Sequence, residues 1–324
     1  MTRTLGRSGI EVSAIGMGCW AIGGPAYRGD SPAGWGEVDD AESARAIRAA
    51  LDAGVTLFDT ADVYGAGHSE RVLGRALGSN RKRAVIATKF SSVFDEQTKQ
   101  LTGSDASPAY IRRACEASLR RLGTDCIDLY QFHAGGHPLE QIDEVIETLE
   151  SLLEAGKIRS YGWSTDDPER AVRFAAGVHC TAVQFQLNVL ADTPQIIAAC
   201  EQHRLAGLNR GPLAMGLLSG KYTAQTQLPD NDVRGPNAPV WMRYFTDGRP
   251  TPEFIARVDA IRDILTEDGR SLAQGALGWI LARSPVTIPI PGFRTVEQVR
   301  QNAGVLERGS LTDDQMSRIA SALA

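Results

Sequence analysis

Short apolar runs recur along the chain, and each gives way to a segment with apolar residues at helical spacing. "AIGMGCW" (14–20) precedes a helix predicted from about Asp39 to Ala53. "VTLFDT" (55–60) precedes one near 69–79, with Ser69 as its expected N-cap. "AVIATKF" (84–90) leads to "SPAYIRRACEASLRRLG", opened by a Ser-Pro pair that suits the cap and first helical positions. "CIDLYQFH" (126–133) leads to a helix at about 138–156 stopped by Gly156. "IRSYGWS" (158–164) leads to "DPERAVRFAAG", and "AVQFQLN" (182–188) to "TPQIIAACEQHR". "LAGLNRGPL" (205–213) is followed by a long irregular stretch, then helices near 252–267 and 271–283. "VTIPIPG" (286–292) precedes "TVEQVRQNAG".

Strand–helix alternation with short connections predicts a parallel sheet. Eight such units are best closed as a (β/α)8 TIM barrel, with a doubly wound open sheet as the alternative. "RTLGRSGIEVS" reads as an N-terminal β-hairpin turning at Ser8-Gly9 and plugging the barrel floor. The stretch 312–323 reads as an extra C-terminal helix. No linker or low-complexity segment interrupts the chain, so 1–324 is expected to be a single domain.

Composition changes this picture little: 324 residues, 43% hydrophobic and 23% charged, are ordinary for a globular chain. A net charge of -5 argues against nucleic acid or an anionic membrane as a bulk partner. No apolar run approaches the ~20 residues of a membrane helix, and "MTRTLGRSGIEVSAIG" lacks the apolar core of a signal peptide. The expected location is cytoplasmic. Cys19, Cys115, Cys126, Cys180 and Cys200 are scattered, with no CxxC pair, so reduced thiols and no metal are expected. Oligomeric state is left open.

The candidate chemistry lies at the strand ends. In a barrel the C-terminal strand ends share the face that carries function. Asp59 ends the second strand, Lys89 the third and His133 the fourth, and Tyr64 hangs in the turn beside Asp59. A phenol loses its proton near pH 10, too high for ordinary acid–base work. A nearby ammonium lowers that value. Lys89 supplies the ammonium, Asp59 holds it charged and aimed, and His133 hydrogen-bonds a substrate oxygen and helps pass a proton. Such a set suits protonating an oxygen that becomes an alcohol. Read singly, each residue is better explained as a cap (Asp59), a strand-end salt bridge (Lys89) or a packed ring (His133); the four together at matching strand ends favour chemistry.

Two nucleotide motifs nearly occur and fail. Gly16, Gly18, Gly23 and Gly24 in "GMGCWAIGG" lack the G-x-G-x-x-G spacing, and no helix follows them. "GLLSGKY" has one residue too few between its glycines for a phosphate loop, and Tyr222 stands where Ser or Thr binds magnesium. A better anion site is "IPGFRTVEQVRQN", where Thr295 can cap a helix with Arg294 beside its N-terminus.

With these residues in place, the chain resembles the aldo-keto reductases over essentially its whole length. "FDTADVYGAGHSERVLGRAL" is similar to the family signature, and "ATKF", "DLYQFH", "GPLAMGLLSGKY" and "IPIPGFRTVEQVRQN" follow in order. The last of these most resembles the bacterial and potassium-channel-β branch. The resemblance implies a (β/α)8 barrel, reduction of an aldehyde or ketone with NADP(H), and a tetrad of Asp59, Tyr64, Lys89 and His133 with Tyr64 as general acid. It places Gln184 and its neighbour Ser164 on the nicotinamide amide, and Gly211, Pro212, Leu213 and Ala214 on the pyrophosphate wall. Lys221 falls on a phosphate, and Arg234 crosses the cofactor. Gly292, Arg294, Gln298, Gln301 and Asn302 fall at the adenosine-phosphate end. Gly18, Trp20 and Asp59 are counted with the cofactor residues. The chain departs from the family pattern at Arg210, where an aromatic usually stacks on the nicotinamide, at Thr165 in place of Asn, and at Gln301 in place of an acid. A guanidinium plane also stacks, so Arg210 stays among the cofactor residues.

Substrate choice is expected in the loops 21–38, 91–106, 134–138 and 222–251, with Tyr27, Trp35, His137 and Trp241 as candidate contacts. Trp241, Tyr244 and Phe245 read equally well as a lid or an oligomer contact. Two rival functions stay open: a nucleotide-binding redox-sensing regulator, and an aldolase forming a Schiff base on Lys89.

Overall fold

A computed structural model describes residues 1–324. Eight parallel strands run β1 Gly16–Gly18, β2 Leu57–Asp59, β3 Val85–Phe90, β4 Leu129–Phe132, β5 Tyr161–Ser164, β6 Cys180–Gln186, β7 Ala206–Arg210 and β8 Thr287–Pro289. They pair in chain order. The ring closes where Gly18 bridges Gly292 and its N–H donates to Pro291 O at 2.9 Å. This is the TIM barrel expected, and it excludes the open sheet.

The first six helices are α1 Asp40–Asp52, α2 His68–Leu77, α3 Pro108–Leu122, α4 Ile142–Glu154, α5 Pro168–Phe174 and α6 Pro194–His203. They are followed by α7 Pro252–Leu265, α8 Leu272–Arg283, α9 Val296–Ala303, α10 Val305–Arg308 and α11 Asp313–Leu323. Asp39, Ser107 and Thr295 cap α1, α3 and α9 through side-chain oxygens. Ser69 does not cap α2. The cap is Gly67, in a left-handed conformation, and Ser69 lies inside the helix with its hydroxyl donating to Cys19 O at 2.8 Å. A hydroxyl one residue into the helix is better used tying α2 to the exit of β1.

Strand alternation divides the core in two. Leu57, Ala87, Leu129, Ala182, Ala206, Leu208, Ile288 and Ile290 point into the barrel, where they meet Leu5, Ile10 and Val12 of the N-terminal hairpin. That hairpin pairs Thr2–Thr4 with Glu11–Ser13 and seals the floor. Arg7 pins it by donating to Cys180 O and Ala175 O, each at 2.7 Å. The opposite parity, with Met17, Phe58, Ile86, Phe90, Tyr130, Phe132, Trp163, Val183 and Phe185, packs against the helices.

Three of the expected loops contain hairpins that periodicity did not reveal. Residues 27–32 form a small antiparallel pair, Ser92–Phe94 pairs with Leu101–Ser104, and Phe245–Thr246 pairs with Arg249–Pro250. The first two join where Tyr27 N donates to Lys99 O at 2.9 Å. All five cysteines are free. No helix is long and apolar enough to cross a membrane.

Candidate active site

The inward parity carries the site. Two residues beyond Leu57, Ala87, Leu129 and Ala182 stand Asp59, Lys89, Gln131 and Gln184, and two beyond Leu208 stands Arg210. Period-two geometry therefore lifts one polar layer above an apolar floor. Asp59 Oδ2 accepts from Lys89 Nζ at 2.6 Å, and its Oδ1 accepts from Gln131 at 3.0 Å and Gln184 at 2.7 Å. Lys89 Nζ also donates to Thr60 O at 2.9 Å and to the Tyr64 hydroxyl at 3.0 Å. Lys89 is fully buried. The His133 ring stands edge-on to Tyr64, their centroids 6.3 Å apart.

The electrostatics correct two expectations. Burial lowers the Lys89 pKa, but Asp59 and Tyr64 outweigh it and the net shift is upward, so the amine stays an ammonium. That removes the nucleophile a Schiff-base aldolase needs. Tyr64 is not lowered. Burial raises its pKa, Lys89 only partly offsets this, and Asp59 adds to the rise. The phenol therefore keeps its proton at neutrality until an acceptor arrives. His133 is driven down to about 3 by burial, then by Lys89 and Arg210. Its ring is a neutral hydrogen-bonding group with one N–H, and no imidazolium is present to act as an acid.

From Tyr64 a groove of about 480 Å³ runs across the barrel mouth to Asn302. Gly18, Trp20, Asp59, Gln184, Arg210, Gly211, Pro212, Leu213, Lys221, Arg234, Gly292, Arg294, Gln298, Gln301 and Asn302 line it. Ser164 and Ala214 do not. Ser164 lies beside Gln184 in the sheet register, and Ala214 is fully buried behind the wall. Arg210 pairs with Asp166 and reaches Gln186 Oε1 at 3.4 Å. Thr165 accepts from Asp167 N at 3.2 Å, a local turn role.

Of the substrate candidates, Trp35 lines the groove, its ring 5.3 Å from Trp20. Trp241 is 58% exposed, and its ring lies 6.3 Å from Trp20. Tyr27 and His137 are outside the groove wall: Tyr27 joins the two hairpins, and His137 packs edge-on to Phe132 at 5.1 Å. Tyr244 and Phe245 are buried and form no lid. The Tyr244 hydroxyl instead accepts from Gln186 and Asn188, each at 2.9 Å.

Gln131, buried beneath the groove, is one uncharged amide in an apolar strand and carries no signal of its own in the sequence, although its position two before His133 puts it on the same face. Tyr222, which lines the groove, stands in the sequence only as a defect in a phosphate loop. Its hydroxyl meets Arg234 Nη1 at 2.6 Å, and the Arg234 guanidinium lies 4.5 Å from the Trp35 ring. Asp232 holds Arg234 through two bonds of 2.9 and 2.7 Å, so this cation bridges the groove from a fixed base.

A TIM barrel with an acid–lysine–phenol relay at one end of a mouth groove, and cations at the other, defines an oxidoreductase of the nucleotide-using barrel class. The chain belongs to the aldo/keto reductase family, whose model matches residues 14–324. It is 34% identical over 295 residues to aldo-keto reductase YhdN of Bacillus subtilis (strain 168), covering 90% of this chain and 84% of that protein. Identity to aldo-keto reductase yakc [NADP(+)] of Schizosaccharomyces pombe is 31%, over 99% of this chain and 91% of the relative. The solved glycerol dehydrogenase AKR11B4 from Gluconobacter oxydans superposes with a TM-score of 0.83 at 34% identity, covering 100% and 95% of the two chains.

Proposed function

We propose that residues 1–324 form one catalytic domain that reduces an aldehyde or ketone to an alcohol with NADPH, and that Tyr64 is the general acid. The observation that carries this reading is the Tyr64 hydroxyl 3.0 Å from a fully buried Lys89 ammonium, itself 2.6 Å from Asp59. The groove's donor set fits the cofactor. Lys221 and Arg294 have no carboxylate partner, and with Arg234 they suit phosphates. Gln184 spends its amide hydrogens on Asp59 and Gln131, leaving its carbonyl oxygen for a carboxamide N–H. A Cβ at Gly18 would come within 2.8 Å of Ile290 O, so glycine is what lets the ring close beside the groove. The name of the fission-yeast relative supports NADP as the nucleotide.

When bound, the nicotinamide supplies a hydride to the carbonyl carbon. Tyr64 donates its phenolic proton to the carbonyl oxygen as negative charge develops there. Lys89 stabilises the phenolate left behind, and Asp59 keeps Lys89 charged and in place. Neutral His133 donates a hydrogen bond that orients the carbonyl. Trp20, Trp35 and Trp241 offer apolar faces to the rest of the substrate. The test is Tyr64→Phe, assayed on a broad aldehyde and ketone panel with NADPH and NADH. Turnover is expected to fall by about 10²–10⁴-fold, with NADPH fluorescence titration unchanged. Turnover at the parent rate in that variant would remove Tyr64 as the acid.

A further inference from the structure

On the outer wall, α2 and α3 lie side by side, and between them opens a second cavity of about 480 Å³. Arg71 and Arg75 of α2 and Arg120 and Arg121 of α3 line it, with Ala117. The one carboxylate in its wall, Glu96, comes from the hairpin after β3. It accepts from Arg71 and, at 3.1 Å, from Arg121 Nη1. Arg121 Nε is committed to buried Glu70 at 2.6 Å, and Arg75 rests on Asp40 at 3.1 Å. Arg120 makes neither an ion pair nor a side-chain hydrogen bond. Four guanidinium groups against three carboxylates, Glu96, Glu70 and Asp40, leave one positive charge in excess, in a chain whose overall charge is negative. Guanidinium forks match the oxygens of a phosphate group, and the concave wall excludes a flat macromolecular surface. The Glu96 side chain is 43% exposed, so an anion from solution can take its place.

We infer that this cavity binds a phosphate dianion, free or as the end of a diphosphate, and that Glu96 is its built-in competitor. Occupancy reaches the mouth of the barrel. On the same hairpin, Lys99 Nζ donates to Gly65 O at 3.0 Å, one residue from Tyr64, and Gln100 bridges to Tyr27. An anion that takes Arg71 and Arg121 from Glu96 removes one anchor of that hairpin.

This site stands apart from the reading of the groove, and its test does too. Sodium diphosphate and adenosine diphosphate are titrated calorimetrically, at low salt, into protein saturated with NADPH. Diphosphate is expected to bind the parent at one site. Glu96→Gln should bind it about threefold more tightly, the worth of an exposed ion pair. The double variant Arg75→Ser/Arg120→Ser should bind it about tenfold more weakly, with its unliganded turnover unchanged. Adenosine diphosphate binding as tightly as diphosphate assigns the anion to a nucleotide; binding of diphosphate alone assigns it to the free ion. No heat at millimolar diphosphate in both the parent and Glu96→Gln overturns the inference, as does binding that the double arginine variant keeps in full.

Discussion

Asp59 illustrates how much one buried carboxylate can organise: three donors from three strands converge on its two oxygens. Asp62, three residues on and also buried, is its opposite. Its Oδ1 has no partner, and burial, then Glu70, holds its carboxyl well above the ordinary 3.8. A raised carboxyl favours the protonated fold. The stability it contributes is full below about pH 3.8 and is lost as pH rises through the higher folded value. Asp62→Asn, which cannot ionise, is expected to melt higher than the parent near pH 8 and to flatten melting temperature against pH. A lower melting temperature for the variant at that pH would show the carboxylate to be satisfied. At this scale the sequence was informative about charge and silent about burial. Asp59, Lys89 and His133 were visible because a charged or titratable residue closing an apolar run stands out. The sign of the Tyr64 shift was not, because desolvation depends on what covers the ring. Gln131 was hidden because an uncharged amide breaks no pattern.

The helices were legible from their spacing, and the reasons for their contacts were not. Glycine is ordinarily a weak point in a helix, and Gly74 lies mid-way through α2. In the fold it is where α2 touches α3: a Cβ there would lie 2.3 Å from Leu122 O. Gly74→Ala must therefore push the two helices apart, against its better helix propensity. A loss of about 1–3 kcal/mol in urea unfolding is expected, and a gain would mean that α3 yields freely. The small hairpins at the mouth escaped notice for a different reason. "VFDEQTKQL" is polar through its middle and exposed, so it shows no apolar alternation. Its pairing is set by its neighbours Gly65, Arg121 and Tyr27 rather than by its own composition.

For the molecule as a whole, strand–helix repetition was enough to specify the barrel, and the N-terminal plug followed from an otherwise unassigned hairpin at its start. How tightly that plug fits only the packing reveals. Leu5 is fully buried against the interior cluster, and Arg7 is bonded to the far wall. Leu5→Ala is expected to cost about 2–5 kcal/mol in denaturant unfolding, while turnover below the melting transition stays at the parent level. A loss of turnover without a loss of stability would mean the floor speaks to the mouth. The pleat carries one more consequence. Lys89 faces the groove and its neighbour Thr88 faces Glu70 among the helices, at 2.6 Å. Inserting a single amino acid ahead of Thr88 within β3 would turn both over, putting a hydroxyl in the relay and the lysine amine where Phe90 packs on Tyr130 and Phe132. Length changes inside β3 are therefore accommodated only in steps of two, whereas a connecting segment can change by one residue without turning a strand over.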